Sequence, residues 1–181
     1  MKRGASIVPF PSKKLKKSQM AVSIVAAIFL VLLYIVIFTF SEQDGNTSGH
    51  LSHELTKWLV EGYEKLIHGS FSEEIRNGWI SYWEHPVRKL AHFSEYAVMA
   101  VLIFLVLNPF GKRGWKKNLL IFSWVFVSAA LDEWHQTFVA DRCGTFWDVL
   151  LDTCGGAFGL LCCLGIQKLC EKRKKTSRER K

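Results

Sequence analysis

The chain has 181 residues, 49% of them hydrophobic and 13% aromatic, with a mean hydropathy of +0.12 and a formal net charge of +8. An apolar excess joined to a basic one at this length leaves room for one domain and points to a small, all-α, polytopic membrane protein. The positive charge stands in runs beside apolar segments and is not interleaved with aromatics, so nucleic acid is excluded as a partner and the lipid bilayer takes its place.

The N-terminal arm, residues 1–20, carries Lys2, Arg3, Lys13, Lys14, Lys16 and Lys17, and residues 21–40 follow without a charge. Twenty apolar residues span about 30 Å of hydrocarbon as a helix. Phe38-Thr39-Phe40 offers no small-residue cleavage site, so the segment reads as a retained anchor. Residues 41–88 read as an external loop that opens on a turn from Asp44 to Gly49. Two amphipathic helices follow: one carries Leu51, Leu55, Trp58, Leu59, Leu66 and Ile67 and is capped by Gly69. The other starts at a capping box of Ser70 and Glu73 and carries Phe71, Ile75, Trp79, Ile80 and Trp83. Their tryptophans suit a membrane interface. His50 and His53 have the spacing of metal ligands but no second pair, and read as solvated.

Pro86 suits the first turn of a second long helix, which spans residues 90–108 and stops at Pro109 and Gly111. Arg88, His92, Glu95 and Met99 fall on one face of it. A third span is expected at 115–134 and a fourth at 149–169, the latter with Gly155 and Gly159 in the spacing that lets membrane helices approach closely. Residues 170–181 form a basic tail. The five cysteines are an odd number, and four of them fall in or near the last apolar run, so no disulfide framework is expected.

Lys and Arg number six in the arm, four in the loop after the second span and eight from Lys168 onward, against six in the two intervening polar segments. The positive-inside rule then puts both termini in the cytoplasm of a multi-pass cell-membrane protein. The start of the second span and the end of the third meet at the outer level. Arg88, Lys89, His92 and Glu95 there face Asp132, Glu133, His135 and Gln136, with Arg142 and Asp148 above. Ionised groups cost about 2.5 to 3.5 kcal/mol each near the bilayer centre, so the cluster needs pairing, water or a function. One reading is a packing network of ion pairs. Others are general acid or base work by His92 with a carboxylate partner, a metal held by His92, Glu95, Asp132 and Glu133, or an anion held by Arg88, Lys89 and Arg142. Ser94 and Cys143 lie nearby without a nucleophile's context.

RKLAHFSEY at Arg88 to Tyr96, LDEWHQTFVADRCGTFWDVLLDTCGGAFG at Leu131 to Gly159 and FSEQ at Phe40 to Gln43 resemble the VanZ-like membrane proteins, named for an accessory teicoplanin-resistance protein. The resemblance implies a four-helix bacterial membrane protein whose prototype lowers susceptibility to a glycopeptide antibiotic. It extends to Arg88, Lys89, His92, Glu95, Tyr96, Asp132, Glu133, Gln136, Arg142, Asp148 and Gly155. The chain departs from the family pattern at Ala140 and Asp141, where a proline and glycine are usual, and at Asp152, where asparagine is frequent. A less sharply turned loop follows, with Asp141 beside Arg142, and Asp152 either alters the ligand charge preference or is solvated.

The expectation is therefore a VanZ-like integral membrane protein whose outward-facing site acts on or binds a cell-envelope component, lipid-linked or peptidoglycan-related, and lowers teicoplanin susceptibility. His92, Glu95, Asp132, Glu133 and Gln136 would carry chemistry, and Arg88, Lys89, Tyr96, Arg142 and Asp148 would bind the ligand. The alternative is a non-enzymatic accessory protein in which the cluster packs helices. Cofactor, metal and oligomeric state stay open.

Overall fold

A computed structural model describes residues 13–43, 45–110 and 114–179; the first twelve residues of the basic arm, Asp44, the start of the basic loop (111–113) and the last two tail residues lie outside them. The order is α1 (Lys13–Ser41), α2 (Gly45–Leu66), α3 (Glu73–Val106), a 3-10 turn (Asn108–Phe110), α4 (Trp115–Gln136) and α5 (Phe146–Glu179), with no strand among the described residues. Three segments are long and apolar enough to cross a membrane: Lys17–Ser41, Glu73–Phe110 and Phe146–Ser177. α4 is not among them, since Lys116 and Lys117 at one end and Asp132 and Glu133 at the other dilute its apolar middle.

Four expectations are corrected. The turn foreseen from Asp44 to Gly49 is helical from Gly45, because packing of α2 along α3 overrides the weak helix propensity of its glycines. The second amphipathic helix is not separate: it is the first part of α3, capped by Ser72 instead of Ser70, with the Ser72 side chain accepting from the Ile75 N–H at 3.4 Å. Pro86 thus lies inside α3. Proline there removes one ladder hydrogen bond, and a contact across it, Arg88 Nη2 to Glu84 Oε1 at 3.2 Å, braces the two turns. Finally, Gly69 is not the left-handed cap of α2. His68 takes that position with φ 51°, and the N–H groups of His68 and Gly69 close back on the Lys65 and Glu64 carbonyls.

The α2–α3 turn is held by Glu64, which accepts from the Phe71 N–H at 2.7 Å and from the Arg76 guanidinium at 3.1–3.3 Å. The Phe71 N–H first, and Arg76 second, hold the Glu64 carboxyl below the usual carboxylate range. α2 faces α3 with Ser52, Thr56, Val60 and Glu64, one residue every four, all buried. Its larger apolar residues are more open: Leu59 and Leu66 are exposed, Trp58 is 69% exposed, and Leu51 and Leu55, though exposed in part, line a pocket shared with α1 and α3.

The core gathers Tyr96, Met99, Ala100, Ile103 and Phe104 of α3, Ile121, Val125 and Ala129 of α4, and Val149, Leu160 and Cys163 of α5. The expected small-residue contact decides how α5 meets α3. A Cβ on Gly155 would stand 2.2 Å from the Phe93 carbonyl oxygen, and one on Gly159 would stand 2.2 Å from that of Ala97, so the backbones touch at two successive turns and run parallel. α1 runs opposite to α3, with Ser23 Oγ donating to the Val106 carbonyl at 2.7 Å at one end and Phe40 near Arg142 at the other. Its Val22, Ile24, Val25, Ile28, Phe29 and Val31 are exposed, a continuous apolar surface suited to lipid.

Candidate functional site

One end of the bundle carries the charged residues because three helices bring them there. The parallel, close contact of α5 with α3 sets Asp148 against Lys89 as an ion pair. On α5, Asp148, Asp152, Gly155 and Gly159 recur at helical spacing, so the glycines that permit the approach also aim both carboxylates toward α3. α4 enters from the opposite direction, and its last turn is tied to the loop before α5: Glu133 Oε2 accepts the Thr145 N–H at 2.9 Å, and Gly144 lies flat on the Glu133 carbonyl, where a Cβ would come within 2.0 Å. Asp141 turns this loop with φ 56°, a left-handed conformation that a glycine would take without strain, so the turn is tight despite the absence of one.

These elements enclose a polar cavity of about 460 Å³ lined by His85, Arg88, Lys89, His92, Glu133, Gln136, Arg142, Asp148 and Asp152, with Asp141, Cys143 and Thr145 at the loop. Seven of the ten residues expected at the site line it. Glu95 does not. It lines a smaller pocket of about 100 Å³ toward α1 and α2, shared with Arg88, His92 and Arg142, and its Oε2 stands 3.9 Å from His92 Nδ1. Asp132 and Tyr96 face a third space, an apolar groove of about 640 Å³ between α1 and α4 that also holds Tyr34, Trp124 and His135. His135, grouped with the cluster on sequence grounds, packs on the Phe38 ring at 5.2 Å in that groove. Cavity and groove are separated by one turn of α4, across which Gln136 donates to Asp132 Oδ2 at 3.2 Å.

Not every charge is available for chemistry. Lys89 is paired with Asp148, Arg88 reaches Glu84 and Ser52 Oγ, and Arg142 Nη2 donates to the Phe40 carbonyl at 2.8 Å, pinning the loop to the end of α1. Ser94 donates to the Leu90 carbonyl at 2.7 Å, which ties its hydroxyl to its own helix. His92 and Asp152 differ. His92 Nδ1 is buried without a hydrogen-bond partner, and Asp152, only 1% exposed, has none on either carboxylate oxygen. Buried polar groups are nearly always satisfied, so these atoms call for an explanation.

Asp152 is therefore neither solvated nor peripheral. Side-chain N and O atoms of His92, Asp132 and Asp152 lie within 4.8 Å of one another, a different grouping from the His92, Glu95, Asp132 and Glu133 set considered from the sequence. Glu133 is committed to the loop and Glu95 points into the smaller pocket. His85, Thr145 and Leu151 are the lining residues that sequence reasoning missed, while Asp152 was singled out but left open between a ligand role and solvation. The four-residue spacing of Asp148 and Asp152 was the available signal that Asp152 lines the cavity.

A sequence model of the VanZ/LLP1 family matches residues 26–167. The chain belongs to the VanZ-like family. The match takes in every residue named above for the cavity, the groove and the smaller pocket. Nothing among curated proteins or solved structures matches the chain. Membership and the three apolar helices together make it a membrane protein.

Proposed function

We propose that this VanZ-like protein binds a lipid-anchored envelope molecule at the outer face of the membrane, with the polar head in the cavity and the hydrocarbon chain in the groove. The observation that carries the reading is the adjacency of a charged cavity and an apolar, lipid-sided groove across a single turn of α4. A soluble metabolite would have no use for the groove, and a plain hydrocarbon none for the cavity. Arg142 and Arg88 line the cavity, and their guanidinium groups would turn from the Phe40 carbonyl, Glu84 and Ser52 toward a phosphate or carboxylate, while His92 is placed to give or take a proton at the head. Lys89–Asp148 and Glu133–Thr145 pack helices, which assigns part of the charged constellation to structure and the rest to the ligand.

The topology belongs to the same proposal. α4 has 22 residues, which rise about 33 Å and suffice to cross as a fourth span. α3 has 34, which rise about 51 Å, so its first turns stand outside the hydrocarbon and bring Arg88 to Glu95 to the boundary. α2 lies along that projecting part with Leu59, Leu66 and Trp58 turned outward, as an interfacial helix requires. Both termini are then cytoplasmic. In a cysteine-free background, His50→Cys labels with an impermeant thiol reagent on intact cells and Lys116→Cys only after lysis; the opposite pattern inverts the topology.

Binding is tested on purified protein with a polyprenyl phosphate, against the matching polyprenol and inorganic phosphate. At a hundredfold excess over Kd a ligand adds about 2.7 kcal/mol, a rise of several degrees in Tm. The polyprenyl phosphate produces this rise and Arg142→Ala reduces it. An equal rise with the polyprenol alone refutes a role for the cavity. If lowered teicoplanin susceptibility follows from this binding, expression in a susceptible bacterium raises the inhibitory concentration and Arg142→Ala cancels the increase; an increase that survives Arg142→Ala separates resistance from the cavity.

A further inference from the structure

We infer that His92, Asp132 and Asp152 form a binding site for one divalent transition-metal cation, of the zinc or manganese class, where α3, α4 and α5 meet. Each helix supplies one ligand, and the three ligand atoms lie within 4.8 Å of one another. Three atoms so spaced leave a point within about 2.8 Å of all of them, a small side-chain adjustment from the roughly 2.0–2.2 Å of zinc bonds to nitrogen and oxygen.

The protein's own groups leave this place unfilled. Asp132 accepts from Gln136 and stands beside the Tyr96 hydroxyl, whereas Asp152 receives no hydrogen bond on either oxygen and His92 Nδ1 has none, with Glu95 Oε2 3.9 Å from it. The nearest ammonium, Lys89, is taken by Asp148. Two carboxylates held together away from water repel each other unless a cation or a proton stands between them. An imidazole in the same group favours a metal over a proton, because it adds a neutral donor where a proton needs none. One histidine with two carboxylates suits zinc or manganese.

His92 and Asp152 also line the polar cavity, so the remaining coordination positions open toward it. Three protein ligands with an open position toward a cavity is the pattern of metal sites that bind water or substrate, as distinct from closed structural ones. The inference goes beyond the lipid-binding reading and does not depend on it: the trio holds its cation whatever molecule enters the cavity.

The test uses the full chain purified in detergent, stripped with a chelator, equilibrated with ZnCl2 or MnCl2 alone, desalted and assayed for metal. Wild type and His50→Gln, a change at an exposed histidine away from the trio, retain one metal per chain. Asp152→Asn and His92→Gln bind at least about tenfold more weakly, a loss that changes merely supporting a ligand already reach. ZnCl2 raises the Tm of wild type and not that of Asp152→Asn. Far less than one metal per wild-type chain, or full retention by Asp152→Asn, overturns the site and leaves a proton as the occupant. Should the variants not accumulate, electron paramagnetic resonance of wild type with MnCl2 decides. Coupling to one imidazole nitrogen supports the site, and the spectrum of the hydrated ion alone refutes it.

Discussion

Gly155→Ala is expected to cost about 3 kcal/mol, near the top of the range for overpacking, and to disable the cavity as well. The added methyl would stand 2.2 Å from the Phe93 carbonyl oxygen, a backbone atom of a membrane-embedded helix that cannot rotate away. Relief requires α5 to move back from α3, which draws Asp148 off Lys89 and Asp152 off His92. Gly159→Ala meets the Ala97 carbonyl at the same 2.2 Å and behaves alike. The neighbouring glycines serve as comparisons. At Gly156 the obstacle is the Val125 side chain, 2.4 Å away on a stiff, buried β-branched residue, so alanine there is costly too but strains the contact of α5 with α4 instead of that with α3. At Gly165 nothing lies within 4 Å, and alanine there gains about 0.5–1 kcal/mol from the stiffer helix. Thermal unfolding in detergent ranks the four. If Gly155→Ala unfolds within a degree of wild type, the close parallel contact of α3 and α5 is wrong, and with it the geometry of the site.

Lys89→Glu is expected to destabilise the protein by about 3 kcal/mol, and Asp148→Lys to do much the same, while the double reversal recovers most of the loss. Lys89 and Asp148 join α3 to the first turn of α5 with about a quarter of each side chain exposed. A fully buried pair broken on one side costs about 3 to 5 kcal/mol, and partial exposure reduces that. Reversal adds repulsion in a neighbourhood that already holds Glu133 and Asp152. Asp148→Lys carries a further penalty, since it places a cation in the first turn of α5, where the helix dipole favours an acid. The double variant keeps that penalty, so recovery is incomplete. A measured coupling below about 0.5 kcal/mol would show that the pair does not hold the helices together.

The family, the all-helical class and the convergence of Arg88, Lys89, His92, Glu133, Gln136, Arg142 and Asp148 were legible before any coordinates. Apolar run length, basic flanks and residues three and four apart on a helix are local properties that survive whatever the helices pack against. Gly155 and Gly159 announced a close contact for the same reason. What escaped the sequence was which faces meet. Pro86 read as a helix start because proline commonly stands there; only the packing of α2 along α3, with Arg88 bracing to Glu84, carries the helix through it. The segment of α2 read as amphipathic, but nothing in its sequence told that Ser52, Thr56, Val60 and Glu64 would be the residues that meet α3.

Asp152 is the sharpest case. By sequence it is one more acid near the outer end of an apolar run, free to touch a ligand or to sit in solvent. Its burial comes from the glycine contact a turn later, which brings α5 against α3 and sets its carboxylate beside His92 and Asp132. The sequence alone determined that charged residues would crowd one end of a small helical membrane protein. The tertiary structure alone decided which of them are paired and which are left facing one another, since pairing depends on distances between helices that hydropathy and spacing do not encode.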